Sequence, residues 1–285
     1  MECWPLFMVL EPVTGRFEDL CFVARRVIFG PNRVRRTRLY CVGGGKSGTH
    51  SVAEMFSRNV RARHEPEALE LIDKIADHHN GRINELEWTE WLRARDRRLA
   101  LEVDSSTLNL DLLDFLLHEF PDARFLLTIR DCYSWLNSMF NQFRGFPGKL
   151  DPRWVRRLEL WAGSGARDYA PEEQVLSENQ LANLDSYFSR WKSRNEKVLA
   201  KVPAPRLLIV RTDQITQKAF EIADFAGLRR RAVCLARTHS FQNPAKQELI
   251  RKVDRAFLER KVQHHCLPLM TRFFPEIKSL DDATL

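Results

Sequence analysis

The sequence lacks any long apolar run and any regular pairing of cysteines. Its six cysteines are scattered over 285 residues, at Cys3, Cys21, Cys41, Cys132, Cys234 and Cys266. No stretch approaches the ~20 apolar residues of a membrane-spanning helix, and no basic start leads into the apolar core of a signal peptide. We therefore expect no disulfide framework, no membrane partner and a cytoplasmic location.

Metal ligands and nucleic-acid motifs are also missing. The histidines at 78–79 and 264–265 lack zinc-ligand spacing, because adjacent residues on a helix point in different directions. The net charge is +7, from 45 basic and 38 acidic residues. Its basic clusters, at 33–38, 93–98 and 229–231, lack the interleaved aromatic residues that stack on bases. We expect no metal and no nucleic-acid partner, although a positive crevice would attract a nucleotide.

A glycine-rich loop is the strongest functional signal. Residues 38–56 run from a short apolar strand through three glycines and a lysine into a helix that hydroxyl residues open. Glycine permits close backbone approach, and the free N–H groups at a helix start bind oxyanions. The sequence therefore predicts an anion site formed by Gly43, Gly44, Gly45, Lys46, Ser47, Gly48, Thr49 and His50.

The same loop partly matches the nucleoside-triphosphate P-loop. Gly45-Lys46-Ser47 fits the end of that motif, but Tyr40 stands where the motif requires its first glycine. A nucleotide kinase using Mg²⁺ would also need a strand that ends in an acidic metal ligand. Asp104 or Asp131 could serve, so a kinase remains an alternative. A non-catalytic basic protein that binds polyanions is a second alternative.

A second segment, 120–138, predicts an apolar strand that ends at Arg130, followed by a helix. Ser138 lies eight residues after Arg130. A guanidinium group at a strand end can bind a phosphate with two parallel hydrogen bonds, and a serine two turns into the next helix can face the same anion.

These two segments, in this order, resemble the sulfotransferases that use 3′-phosphoadenosine-5′-phosphosulfate (PAPS). The resemblance covers residues 40–228 and implies that the glycine loop holds the 5′-phosphosulfate, while Arg130 and Ser138 hold the 3′-phosphate. The sequence departs from the family at three positions, where the family commonly has a hydroxyl residue, a proline and an arginine, in that order. Those positions hold His50, Cys132 and Trp135. The resemblance also implies nucleotide contacts from a late loop, for which Lys246 and Arg237 are candidates.

The general base is predicted at His64-Glu65, where a short strand precedes Pro66. The resemblance implies a histidine or a glutamate base, because sulfotransferases use one or the other. This position is similar to that of the enzymes with a carboxylate base. We therefore expect Glu65 to be the base, with His64 as the other candidate. Alternation along a strand predicts that only one of them faces the crevice. The competing interpretation is that Glu65 only caps a helix beginning at Pro66.

Five predicted strands, the third at 99–103, alternate with helices, which indicates a parallel sheet with ligands at the carboxyl ends of its strands. Lys46, Glu65, Asp104 and Arg130 follow such ends and are expected to meet in one crevice. A later helix, over about 178–201, is predicted to place its apolar residues in the core. The prediction is a three-layer, P-loop-like α/β fold in one domain over residues 1–285. Residues 1–38 are predicted to be an extension or hairpin, and 144–177 a variable lid or acceptor region. The resemblance implies a sulfotransferase that moves a sulfuryl group from PAPS to a hydroxyl or amine of a small-molecule acceptor, releasing 3′-phosphoadenosine-5′-phosphate (PAP). The oligomeric state is not predicted.

Overall fold

Five short parallel strands form the central sheet. The computed structural model describes residues 35–144, 151–239 and 248–285. The strands are β1 (Leu39–Cys41), β2 (Ala62–His64), β3 (Val103–Ser105), β4 (Arg124–Ile129) and β5 (Leu207–Arg211). Their order is β2-β3-β1-β4-β5. In the register, Cys41 pairs with Ser105 on one side and with Leu126 on the other.

Helices connect the strands and continue beyond the sheet. Before β4 they are α1 (Thr49–Phe56), α2 (Ala68–His79), α3 (Glu85–Leu99) and α4 (Leu113–Glu119). Between β4 and β5 lie α5 (Cys132–Phe143), α6 (Pro152–Ala162), α7 (Gln174–Glu178) and α8 (Leu184–Lys201). After β5 come α9 (Ala219–Phe225), α10 (Arg255–His265) and α11 (Leu267–Phe273). No helix in these described segments is long and apolar enough to cross a membrane.

The strands bury side chains on both faces of the sheet. Leu39, Cys41 and Leu126 pack on one face against α1 and α9. Tyr40 and Phe125 point to the other face, where α3 and α4 pack. Because successive strand residues alternate between faces, both layers of helices find an apolar surface. The three-layer, P-loop-like α/β fold with a parallel five-stranded sheet is confirmed.

The third strand begins later than the sequence predicted. Residues 99–103 were expected to form it, but Leu99 is the last residue of α3 and β3 starts at Val103. Leu99 is buried together with Trp88 and Leu92 on the same helix. Ala100 ends that helix in a left-handed conformation, with φ of 47°. An apolar residue at the helix end was therefore mistaken for the start of the strand.

Two helix starts also differ from the prediction. The helix expected at Pro66 begins at Ala68, because Glu65 and Glu67 adopt left-handed conformations with φ of 46° and 52°. The helix expected over 178–201 begins at Leu184, as α8, because α7 ends at Glu178. Asn183 caps α8, since its side chain accepts a hydrogen bond of 2.9 Å from the Ser186 N–H. The apolar residues of α8 are core residues, as predicted.

The described residues from 36 onward form one compact unit. Residues 1–34 lie outside the described residues, and with them most of the predicted extension over 1–38, so a single domain over 1–285 stays a prediction. The predicted lid, 144–177, contains helices α6 and α7 within its described part. Lys246 also falls outside the described residues.

Candidate active site

The loop between β1 and α1 cannot be built with larger residues at two of its glycines. A Cβ atom at Gly43 would lie 2.0 Å from Oγ1 of Thr128 and 2.8 Å from its backbone oxygen. Gly48 has φ of 95°, and a Cβ there would lie 2.4 Å from Cδ1 of Ile215. The close approach to β4 and the left-handed turn before α1 both require glycine.

Three side-chain contacts hold this loop in place. The Ser47 hydroxyl donates to the Gly44 carbonyl at 2.6 Å and lies 3.0 Å from the Thr128 hydroxyl. The Trp135 indole N–H donates to the Gly45 carbonyl at 3.0 Å. Trp135 stands where the resembled family often has a second arginine, and in this chain it supports the loop.

Lys46 projects from the loop towards α5. Its φ is 66°, and its ammonium group donates to Oε1 of Gln142 at 3.3 Å. Burial lowers the pKa of Lys46 to about 8, and repulsion from Arg130 adds to this shift. Because the ammonium group is half-buried and lies beside another cation, an anion bound here would stabilise its charged form.

Arg130 lies beside the loop, and Ser138 lies on the helix that follows it. Arg130 follows β4, and its Nε donates to the Ser134 hydroxyl at 2.9 Å. Burial lowers the pKa of the Arg130 guanidinium. Ser134 and Ser138 are four residues apart on α5 and therefore share one helix face. Arg130 also lines a small cavity with Gly44 of the loop, so the two predicted anion-binding elements border a common space.

Glu65 is held by the segment that follows β3. Its carboxylate accepts hydrogen bonds from the Ser106 hydroxyl at 2.5 Å, and from the Thr107 N–H and hydroxyl at 2.9 Å each. Its left-handed backbone lies beyond the end of β2, so strand alternation does not govern its direction. The interpretation that it caps the helix after Pro66 is wrong, because its bonds go to the start of the short 3₁₀ helix Thr107–Leu110.

The two histidines of the site lie together. The rings of His50 and His64 meet edge to face, with 5.0 Å between their centroids. His64 also contacts the Ser105 carbonyl through Nδ1 at 3.0 Å. Burial lowers the pKa of His50 to about 4, with further repulsion from His64 and Lys46. His50 is therefore neutral at neutral pH and offers a polar ring instead of a positive charge.

The acidic residues that a kinase would use for magnesium are engaged in structural contacts. Asp104 is buried, with Arg95 at 3.6 Å and the Asn109 amide donating to it at 3.2 Å. Asp131 caps α5 by accepting from the Ser134 N–H at 2.8 Å. The expectation that Asp104 joins the crevice is not met, because Arg95 holds it against α3. Arg237 pairs with Glu54 of α1 at 3.0 Å.

Three arginines beside the site were not predicted from sequence. Arg194 of α8 donates to the Thr107 carbonyl at 2.8 Å, next to the bonds that hold Glu65. Arg190 lies one turn earlier on the same helix. Arg157 of α6 is 5% exposed and pairs with Asp111. The only signal in the sequence is the four-residue spacing of Arg190 and Arg194 on a helix with a predicted core face.

Comparison with known proteins identifies the family of the chain. Residues 38–215 match the family described as the sulfotransferase domain. Because the match spans more than half of the chain, the protein belongs to this family and is a sulfotransferase. No curated protein sequence matches the chain.

Similar solved structures include three sulfotransferases. One from Alicyclobacillus acidocaldarius is 15% identical with a TM-score of 0.47, and the match covers 83% of this chain and 96% of that one. The sulfotransferase STF9 from Mycobacterium avium is 14% identical with a TM-score of 0.45, covering 95% and 86%. A mouse sulfotransferase in complex with PAP is 14% identical with a TM-score of 0.33, covering 79% and 67%.

Proposed function

We propose that the enzyme takes its sulfuryl group from PAPS. The observation that carries this proposal is the loop between β1 and α1, which Gly43 and Gly48 make narrow enough to place backbone N–H groups around an oxyanion. In the proposal, this loop and Lys46 hold the 5′-phosphosulfate. Arg130 and Ser138, across the shared space, hold the 3′-phosphate. Lys246 remains a proposed nucleotide contact.

The proposed transfer is in line. The bond from sulfur to the oxygen of the 5′-phosphate breaks as a bond forms between sulfur and the acceptor oxygen or nitrogen. The acceptor loses a proton, and Glu65 takes it as general base. Lys46 neutralises the charge that develops on the departing phosphate. The three atoms that donate hydrogen bonds to Glu65 come from two adjacent residues, Ser106 and Thr107, so its carboxylate is positioned before the acceptor binds.

The acceptor in this proposal is a small molecule with a hydroxyl or amine group. Its place is beside Glu65, on the side of the loop that the described part of the lid segment borders. Arg157 lies on α6 of that segment, and its guanidinium group is close enough to Glu65 to be attracted by its negative charge. His64 is the alternative base, supported by its ring contact with His50 of the predicted anion site.

Nucleotide affinity should depend on pH through Lys46. Its pKa of about 8 is below the ordinary value for lysine, so the free protein loses this charge as the pH rises through 8. A bound phosphate favours the protonated form. We expect PAP affinity to fall by about tenfold per pH unit above pH 8, measured by calorimetry from pH 7 to 9.5. The Lys46→Met variant should bind more weakly with a flat profile; an identical slope in both proteins would contradict the assignment.

The kinase alternative predicts a different ligand. We would titrate the purified protein with PAP in the absence of metal, and separately with ATP and Mg²⁺. Micromolar binding of PAP with no binding of ATP and Mg²⁺ is the expected result. Binding of ATP and Mg²⁺ without PAP would contradict the proposal, because the loop would then serve phosphoryl transfer. Salt-dependent binding to DNA without affinity for either nucleotide would favour the polyanion-binding alternative.

A further inference from the structure

Two tryptophan side chains bind the main chain of the two predicted anion-binding elements. The Trp135 indole N–H on α5 donates to the Gly45 carbonyl of the loop at 3.0 Å. The Trp191 indole N–H on α8 donates to the Arg130 carbonyl after β4, also at 3.0 Å. Each anion-binding element is therefore held at its backbone by one indole N–H group.

Both tryptophans border the space between the two elements. Trp135 and Trp191 line the small cavity that Gly44 and Arg130 also line. The two tryptophans are only 4% and 3% exposed. Because a buried N–H group that loses its acceptor is left without water to replace it, breaking either bond is unfavourable. The two carbonyl groups are consequently fixed at the edge of the cavity.

The two indole rings are supported by one face of α8. Trp135 packs edge to face against Tyr187, with 6.2 Å between the ring centroids. Tyr187, Trp191 and Asn195 follow one another at intervals of four residues and therefore share a face of the helix. The Asn195 side-chain amide donates to the Trp191 carbonyl at 2.8 Å. Helix α8 thus connects the two elements through a single packed group of side chains.

The bond from Trp135 also controls the direction of a loop N–H group. The Gly45 carbonyl and the Lys46 N–H belong to one peptide group, and in a planar trans peptide they point in opposite directions. Lys46 has φ of 66°, a conformation that is unfavourable for a residue with a side chain. Reversal of this peptide would present a carbonyl oxygen where the loop now presents the N–H. Trp135 opposes that reversal, because it holds the carbonyl.

Arg130 is held at both ends. Trp191 binds its carbonyl, and the Arg130 Nε donates to the Ser134 hydroxyl at 2.9 Å. The Ser134 N–H in turn donates to the Asp131 carboxylate at 2.8 Å. A side chain held in this way offers its guanidinium group in one orientation, which a site selective for a phosphate at a fixed distance requires.

We propose that Trp135 and Trp191 are positioning residues that set the geometry of the donor site, Trp135 through the loop and Trp191 through Arg130. This inference rests on the proposed function for the identity of the donor. It adds that the preference for a nucleotide with both a 5′- and a 3′-phosphate depends on two indole N–H groups that act through the main chain.

The experiment measures by calorimetry the affinities of PAP and of adenosine 5′-monophosphate, which carries the 5′-phosphate alone. Phenylalanine keeps an apolar ring but has no N–H group to donate. Trp191→Phe should weaken PAP by about tenfold and leave adenosine 5′-monophosphate unchanged, because only the 3′-phosphate site is loosened. Trp135→Phe should weaken both ligands by about tenfold, because both use the loop. A purely structural role would not separate the two ligands in this way.

The matched control is Trp88→Phe. Trp88 is 6% exposed and stacks on Trp91 of the same helix, with 6.0 Å between the ring centroids. It belongs to the core on the other face of the sheet from α1, so its replacement costs a similar part of a buried ring without touching either element. Both nucleotide affinities should remain those of the wild type.

A second measurement serves if either variant fails to fold, as judged by circular dichroism. In ¹⁵N-labelled wild type, the indole N–H resonances report the hydrogen bonds themselves. Adenosine 5′-monophosphate should shift one indole resonance, that of Trp135, and PAP should shift that resonance and the one of Trp191. The variant that folds assigns its own resonance by the loss of that signal.

The proposal is overturned if Trp135→Phe and Trp191→Phe change the two affinities alike, if Trp88→Phe weakens PAP as much as they do, or if PAP shifts no indole resonance beyond those that adenosine 5′-monophosphate shifts. The wild type alone tests the proposed function. If the wild type binds PAP no more tightly than adenosine 5′-monophosphate, the proposed donor is wrong and this inference falls with it. If the wild type prefers PAP but the variants do not differ, only this inference is wrong.

Discussion

Replacing Glu65 with glutamine is expected to lower kcat by about 10²- to 10⁴-fold, the usual contribution of a general base. The amide oxygen can still accept both bonds from Thr107, and the amide nitrogen can donate to the Ser106 hydroxyl, so the fold should be retained. The measurement is the rate of PAP release from PAPS with a substrate acceptor, together with PAP affinity, which should be unchanged.

The control for this substitution is Glu70→Gln. Glu70 is an exposed carboxylate in the first turn of α2, close in sequence but outside the site, and its replacement should leave kcat unchanged. A Glu65→Gln enzyme that retains kcat within threefold would contradict the role of Glu65. If His64→Asn removes activity in that case, the base is His64.

Replacing Gly43 with alanine should remove nucleotide binding and destabilise the protein by about 1–3 kcal/mol, the range for overpacking a filled space. The added Cβ would lie 2.8 Å from the backbone oxygen of Thr128, which cannot rotate away as a side chain can. Either β4 or the loop must shift, and the N–H groups that face the anion shift with the loop. Urea unfolding and calorimetry with PAP measure the two effects.

Gly45→Ala is the matched control for stability. A Cβ at Gly45 would lie 3.7 Å from Cγ2 of Thr107, which is an ordinary contact distance. Its unfolding free energy should therefore remain close to that of the wild type. Equal destabilisation by Gly43→Ala and Gly45→Ala would show that the loop tolerates both positions alike, and would contradict the tight approach to β4.

The parts of the site that sequence predicts are local. The glycine loop and the pair Arg130 and Ser138 are each contained in one strand-to-helix segment, where spacing alone places the residues. The parallel sheet was predictable for the same reason, since apolar runs mark β1, β4 and β5. The boundary of β3 was not, because Leu99 is buried equally well at the end of a helix or in a strand.

The three arginines beside the site are the residues that the sequence could not reveal. Arg157 and the α8 arginines are brought together by the packing of α6 and α8 near the sheet, and in the sequence they resemble charges on solvated helix faces. The bonds of Glu65 to the residues after β3 were hidden for a related reason, because left-handed φ angles at non-glycine residues follow from tertiary contacts. The roles of the site residues remain predictions.

The most direct test of a PAPS site compares PAP with adenosine 5′-monophosphate, which lacks only the 3′-phosphate. Calorimetry would give the affinities of both for the wild type and for Arg130→Ala. We expect the wild type to prefer PAP by at least tenfold, and Arg130→Ala to lose most of that preference while binding adenosine 5′-monophosphate as before. Equal affinities in the wild type, or a preference that survives in Arg130→Ala, would contradict the assignment of Arg130 to the 3′-phosphate.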